Sequence, residues 1–154
     1  MNRALPLLFL LVAACGAMQK EQPSLLRGRL VLETVPSPLS ARSLGDDHYE
    51  VKFDIVMREE GGVDTRIESF TVDAIALKGV VVRSETHPAS FITARGYPAD
   101  VQAGQYLRFS FTKRWKLPTD LLLGGAAIRV TARTIDANGM RGVTTFRTDV
   151  NRAE

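Results

Sequence analysis

The chain has 154 residues, 45% of them hydrophobic and 24% charged, the size and balance of one soluble globular domain. That much apolar material supports a core without disulfides or a structural metal, and it excludes a disordered chain. A formal net charge of +3, carried by residues spread along the sequence without basic blocks, excludes the stripe or patch expected of a nucleic-acid binder.

The chain opens with Met1-Asn2-Arg3, a short positive start, followed by an uncharged apolar run over residues 4–14 (ALPLLFLLVAA). Small residues come next, which is the order of a secretory leader: charged, apolar, then a cleavage site. The run falls short of the ~20 apolar residues of a comfortable membrane span, and Gln19, Lys20 and Glu21 end it, so a retained single-span anchor is the weaker reading. Removing residues 1–14 leaves nineteen basic and seventeen acidic side chains, a net of +2.

Val12-Ala13-Ala14-Cys15 resembles the lipobox of bacterial lipoproteins: an aliphatic residue, two small residues, then cysteine. It lies directly after the apolar run and uses the only cysteine in the chain. The resemblance implies cleavage between Ala14 and Cys15, a diacylglycerol on the Cys15 sulfur, and often a further acyl chain on the new amine. Two or three chains anchor firmly, since one is marginal and each buried methylene contributes about 0.8 kcal/mol. In the family's sorting pattern Gly16, in place of aspartate, leans toward an outer membrane. The alternative is an ordinary signal peptide, which leaves Cys15 as a free thiol on a secreted protein. Residues 16–24 (GAMQKEQPS) then form a short polar linker that reaches about 30 Å fully extended.

From residue 25 to residue 150 the dominant pattern is alternation, the period of half-buried strands. Tyr49, Val51, Phe53, Ile55 and Met57 alternate with mostly polar neighbours. Leu107, Phe109 and Phe111 do the same, as do Ile128, Val130 and Ala132. Further strands are expected over 26–35, 65–77, 79–83, 89–94 and 143–150. Between them, Pro36-Ser37-Pro38 breaks a ladder, Glu59-Glu60-Gly61-Gly62 reads as a solvated hairpin tip, and Asn138-Gly139 suits a tight hairpin. Residues 119–123 have room for one helical turn, and 151–154 read as a tail.

About eight short strands at regular spacing predict an all-β, antiparallel sandwich or barrel. The last hairpin, residues 132–150 (ARTIDANGMRGVTTFRTDV), resembles the closing strands of bacterial immunoglobulin-like and fibronectin type III-like domains. The resemblance implies an immunoglobulin-like β-sandwich of seven to eight strands. The antibody hallmarks are missing: there is no cysteine pair, and Trp115 is expected to follow a strand.

Little here points to catalysis. His48 and His87 are the only histidines and read as exposed turn residues, so no metal site and no cofactor is expected. There is no Gly-x-Ser-x-Gly elbow, and no glycine-rich loop precedes a helix. Asp136 and Asn138 lack the further oxygen ligands of a calcium loop and read as a turn. One segment stands out for binding. Lys113-Arg114-Trp115-Lys116 joins three cations to the only tryptophan. It suits anionic lipid headgroups, a sugar or a partner protein, or else Trp115 closes the core while the three cations face water. The leucine-rich run 117–123 (LPTDLLL) is expected to cap the sandwich rather than form an exposed apolar patch.

The leading expectation is a non-enzymatic lipoprotein of the cell envelope. Its domain would bind another envelope protein or serve as an accessory subunit, held to an outer membrane through Cys15. A glycan-binding module with Trp115, Tyr97 or Tyr106 as platforms is the alternative, and an envelope hydrolase the third reading.

Overall fold

The computed structural model describes residues 26–116 and 124–153. Nine strands dominate it: β1 (Leu30–Val35), β2 (Leu39–Gly45), β3 (His48–Glu59), β4 (Thr65–Ile75), β5 (Val81–Pro88), β6 (Asp100–Val101), β7 (Tyr106–Lys116), β8 (Ala127–Asp136) and β9 (Arg141–Arg152). A 3-10 turn, Leu77–Gly79, leads into β5, and a single-turn helix α1, Ala89–Thr93, follows it. The expected all-β, immunoglobulin-like sandwich is what the chain forms.

Period-two burial builds it. Along β7 every second residue is buried, from Leu107 to Trp115, and along β1 Leu30, Leu32 and Thr34 point inward. In the first layer β3 is central: β7 pairs with its whole length on one side, while β1 and β2 share the other. Pro36-Ser37-Pro38 separates β1 from β2 along that edge, because proline has no N–H to give the ladder. The second layer runs β9-β8-β4-β5, with β6 also on β4. The layers meet through Phe70 of β4, whose ring lies 5.4 Å from Phe109 and 6.0 Å from Phe111 of β7.

The two layers are joined differently along their two sides. On one, β2 runs parallel to β9, pairing Leu39 with Val150, Ser40 with Asn151 and Ala41 with Arg152. The sheet is therefore mixed rather than wholly antiparallel, and its last strand runs past residue 150 into the expected tail. On the other, β7 pairs only with β3 and β5 only with β4 among the described residues, so the sandwich is open there. The expected strand over 89–94 is instead α1, packed through buried Ile92 and through Phe91 on Phe70. Pro88 stands at its N-cap in extended conformation, and its ring is compatible with a helix beginning just after it. In the 136–140 hairpin the positive φ falls on Gly139, whose amide bonds the Asp136 carbonyl.

Chain entry lies at one end of the sandwich. The Leu26 carbonyl accepts a bond from Asn138 at 3.1 Å, beside the 59–62 turn. Among the described residues no helix is long and apolar enough to cross a membrane.

Candidate functional site

The open side between β5 and β7 gathers the polar side chains that a packed core least explains. Lys113 continues the inward row of Leu107, Phe109 and Phe111 on β7 and is only 1% exposed. Its ammonium crosses to the other layer, 3.1 Å from Glu85 Oε2 of β5 and 3.3 Å from the Val72 carbonyl of β4. Burial pulls the Lys113 ammonium below the ordinary lysine range, against the pull of the Glu85 carboxylate. Burial also works to raise Glu85, but Arg83 at 2.6 Å and Lys113 together hold its carboxyl below the usual range. The arrangement is a charged latch across the side where no backbone ladder joins the layers.

His87 stands next on the same face of β5. Its ring packs 4.1 Å from Phe91 and 5.0 Å from Phe70, with Nε2 buried, lacking a hydrogen-bond partner and 3.8 Å from Glu85 Oε2. Burial pushes the imidazole below its usual range and so keeps it neutral. Arg95 lies 3.4 Å above the outer face of Phe91, a cation–π contact that caps the stack. The sequence-based expectation of an exposed turn histidine is corrected: only His48, at the start of β3, is exposed.

Toward solvent the open side forms a pocket of about 440 Å³, lined by Lys52, Arg83, Glu85, Thr112 and Arg114. Its cations are held from behind. Glu50, almost wholly covered, accepts Arg114 Nε and Nη2 at 2.7 Å each, with Arg42 at 3.1 Å and Lys52 at 3.4 Å. The Arg114 hydrogen bond leads in holding the Glu50 carboxyl below its usual range against desolvation.

The expected patch of Lys113, Arg114, Trp115 and Lys116 is therefore divided between two faces. Arg114 and Lys116 point outward, while Lys113 and Trp115 point into the core, Trp115 being 5% exposed. Trp115 lies within β7 rather than after it, and it closes the core as the structural alternative held, but only two of the three cations face water. Trp115 is buried and Tyr97 is partly buried against the core, whereas Tyr106 is 65% exposed. Ala14, Cys15 and the run 117–123 lie outside the described residues.

Two acidic residues at the chain-entry end are more built-in than their sequence context suggested. Glu59 is buried, not a solvated tip. Its carboxylate accepts the backbone N–H of Arg29, Gly61, Gly62 and Gly104 at 2.7–3.3 Å. Burial works to raise it, and those four amides overcome that and hold it below its usual range. Asp136 acts as a turn residue, accepting the N–H of Gly28, Asn138 and Met140. Among the described residues no group of three His, Cys, Asp or Glu side chains is placed to hold a metal.

No protein-family model matches the chain, and no curated protein matches it. Solved structures do. The structural-genomics target SoR45 superposes with a TM-score of 0.54 at 10% identity, over 80% of this chain and 86% of that one. The putative ApaA protein from Bordetella pertussis gives 0.54 at 12% identity, over 82% of this chain and 97% of that one. A CARDB domain from Pyrococcus furiosus aligns over 80% of this chain and 89% of its own, at 14% identity and a TM-score of 0.36. What the first two share with this chain is the fold. At these identities the likeness extends to the β-sandwich and not to chemistry.

Proposed function

We propose that the chain is a non-enzymatic lipoprotein of the cell envelope, anchored through Cys15, whose immunoglobulin-like domain binds another protein. The observation that carries the binding role is the start of β5. There exposed Val81 and Val82 open a strand paired only with β4 among the described residues, and Leu77 and Val80 just before it are exposed as well. An exposed apolar cluster marks an interface, and a free strand edge offers main-chain groups to an incoming segment. The leader and the Val12–Cys15 pattern support the anchor, and Gly16 favours an outer membrane over an inner one. Lys113, Glu85 and His87 are packed between the layers, an arrangement that supports a structural role over a catalytic one.

The test has two parts. Wild type and Cys15→Ser are expressed in a bacterium, fractionated, and weighed as intact proteins. The wild type is expected in membranes as an acylated chain beginning at Cys15, and the variant not. A photo-crosslinking residue is then placed at Val82 or, as a control, at exposed Val143 on β9. A discrete adduct from Val82 alone supports the β5 edge as the binding surface. Equal labelling from both positions, or none from Val82, removes it.

A further inference from the structure

The pocket at the open side has a property that neither the anchor nor the β5 edge accounts for. Glu50 and Glu85 between them hold Arg42, Lys52, Arg83, Lys113 and Arg114, five cations on two carboxylates. Within this cluster the cations outnumber the carboxylates by three, and the pocket lining itself sets Lys52, Arg83 and Arg114 against Glu85. Arg114 meets Glu50 through Nε and Nη2, and Arg83 meets Glu85 through Nε, which leaves further guanidinium N–H groups on each. Ordering long side chains is a main cost of binding, and Glu50 behind Arg114 and Glu85 beside Arg83, itself a lining residue, offset part of it. Thr112, directly opposite Lys52 in the β3–β7 register, adds a hydroxyl to the same pocket. Planar guanidinium forks with spare donors match the oxygens of a tetrahedral oxyanion.

We propose that this pocket is a binding site for a phosphate-type oxyanion, gripped by Arg83 from one layer and by Arg114, Lys52 and Thr112 from the other. The phosphate is either free or part of a lipid headgroup, since both present the same oxygens. The site does not depend on the Cys15 anchor, and although Arg83 follows Val82 on the same β5 edge, phosphate binding is read on the protein without a partner and so fails or stands separately.

Full-length protein in detergent micelles is titrated calorimetrically at low ionic strength, once with inorganic phosphate and once with dihexanoyl phosphatidic acid. Arg83→Gln and Arg114→Gln are each expected to weaken binding about tenfold, the loss of one charge-assisted contact. Arg108→Gln removes the same charge from the same outer face, at Asp54 and outside the pocket, and is expected to change affinity less than about twofold, as screening dictates. Lys52→Gln, an exposed side chain, reads the same site should an arginine variant fail to fold. Binding of both probes with this pattern assigns a free-oxyanion site, and binding of the phosphatidic acid alone assigns a headgroup site. No binding of either probe overturns the proposal. So does an equal loss in Arg108→Gln, which would leave only diffuse attraction.

Discussion

A buried lysine is the least expected side chain in this core, and its environment predicts how it responds to substitution. Removing one partner of a buried ion pair costs more than replacing the pair, because it strands a charge in a medium that solvates it poorly. Glu85→Gln leaves the Lys113 ammonium with the Val72 carbonyl and without its contacting carboxylate, only the more distant Asp73 remaining, and is expected to cost about 3 kcal/mol in urea unfolding. Lys113→Met fills similar volume without the charge, and Glu85 keeps Arg83, so stability is expected within about 1 kcal/mol of wild type. Equal losses in the two variants would mean that the ammonium itself stabilises the fold. The neighbouring His87 sets a pH response. Its folded-state pKa lies below the unfolded one, so the unfolded chain binds the proton first. Stability is then complete above the ordinary histidine range, near about 6.5, and falls as the pH drops through it. Glu50, Glu59, Glu85 and Asp136 are held below their usual range, and their contribution is lost only at lower pH. His87→Phe, set among Phe70, Phe91 and Phe111, is expected to abolish the drop in thermal midpoint between about pH 7.5 and 5.5. A drop as large as in wild type would place the titrating group elsewhere.

At the scale of elements, alternation was legible wherever a strand is half buried, and β3, β7 and β8 stand where it places them. The same rule carried further would have found the latch. Residue 113 shares the parity of Phe109 and Phe111, and Glu59 that of Ile55 and Met57, so each belongs to the inner face despite its charge. Composition pointed the other way, because lysine and glutamate are rarely buried unless paired, and the partners come from distant strands. Glu85 is 28 residues from Lys113, and Gly104 is 45 from Glu59, separations that no local pattern reports. β2 was missed because only Leu39 and Ala41 point inward on it, and α1 because five residues carry too little helical period to distinguish it from a strand. The parallel β2–β9 contact was invisible for the same reason as the latch, yet it closes one side of the sandwich. Deleting residues 151–154 removes the partners of Ser40 and Ala41 and the Ala153 N–H to Ala41 bond. At about 1 kcal/mol net per hydrogen bond, a loss of about 1–3 kcal/mol is expected in denaturant unfolding. An unchanged midpoint would show that the pairing beyond Val150 adds nothing to the hold that β8 and the Leu39–Val150 pair already have on β9.

For the molecule as a whole, the direction of β3 decides what the anchor and the pocket can reach. Twelve residues at about 3.3 Å each make a strand about 40 Å long. Its Glu59 end lies beside the chain entry at Leu26, through the Gly61 and Gly62 turn. Its other end pairs His48 with Lys116 and Glu50 with Arg114, so Arg114 sits toward the end away from the tether. A linker reaching at most about 30 Å is shorter than the domain. With Cys15 in the membrane, the Asn138 hairpin is then held near the lipid surface, and the Arg114 end on average projects away from it. Cys15 is the only cysteine, and with its sulfur lipidated as proposed one introduced thiol would be a unique label. Full-length protein reconstituted in vesicles, labelled at Asn138→Cys or at Lys116→Cys, reads this directly by energy transfer to an acceptor lipid. Transfer is expected to be markedly stronger from residue 138. Equal transfer would mean that the domain lies along the membrane, and stronger transfer from residue 116 that its far end turns back onto the lipid. Either result would favour a headgroup over a free phosphate as the occupant of the pocket, because only a folded-back domain brings Arg83 and Arg114 within reach of the membrane that holds Cys15.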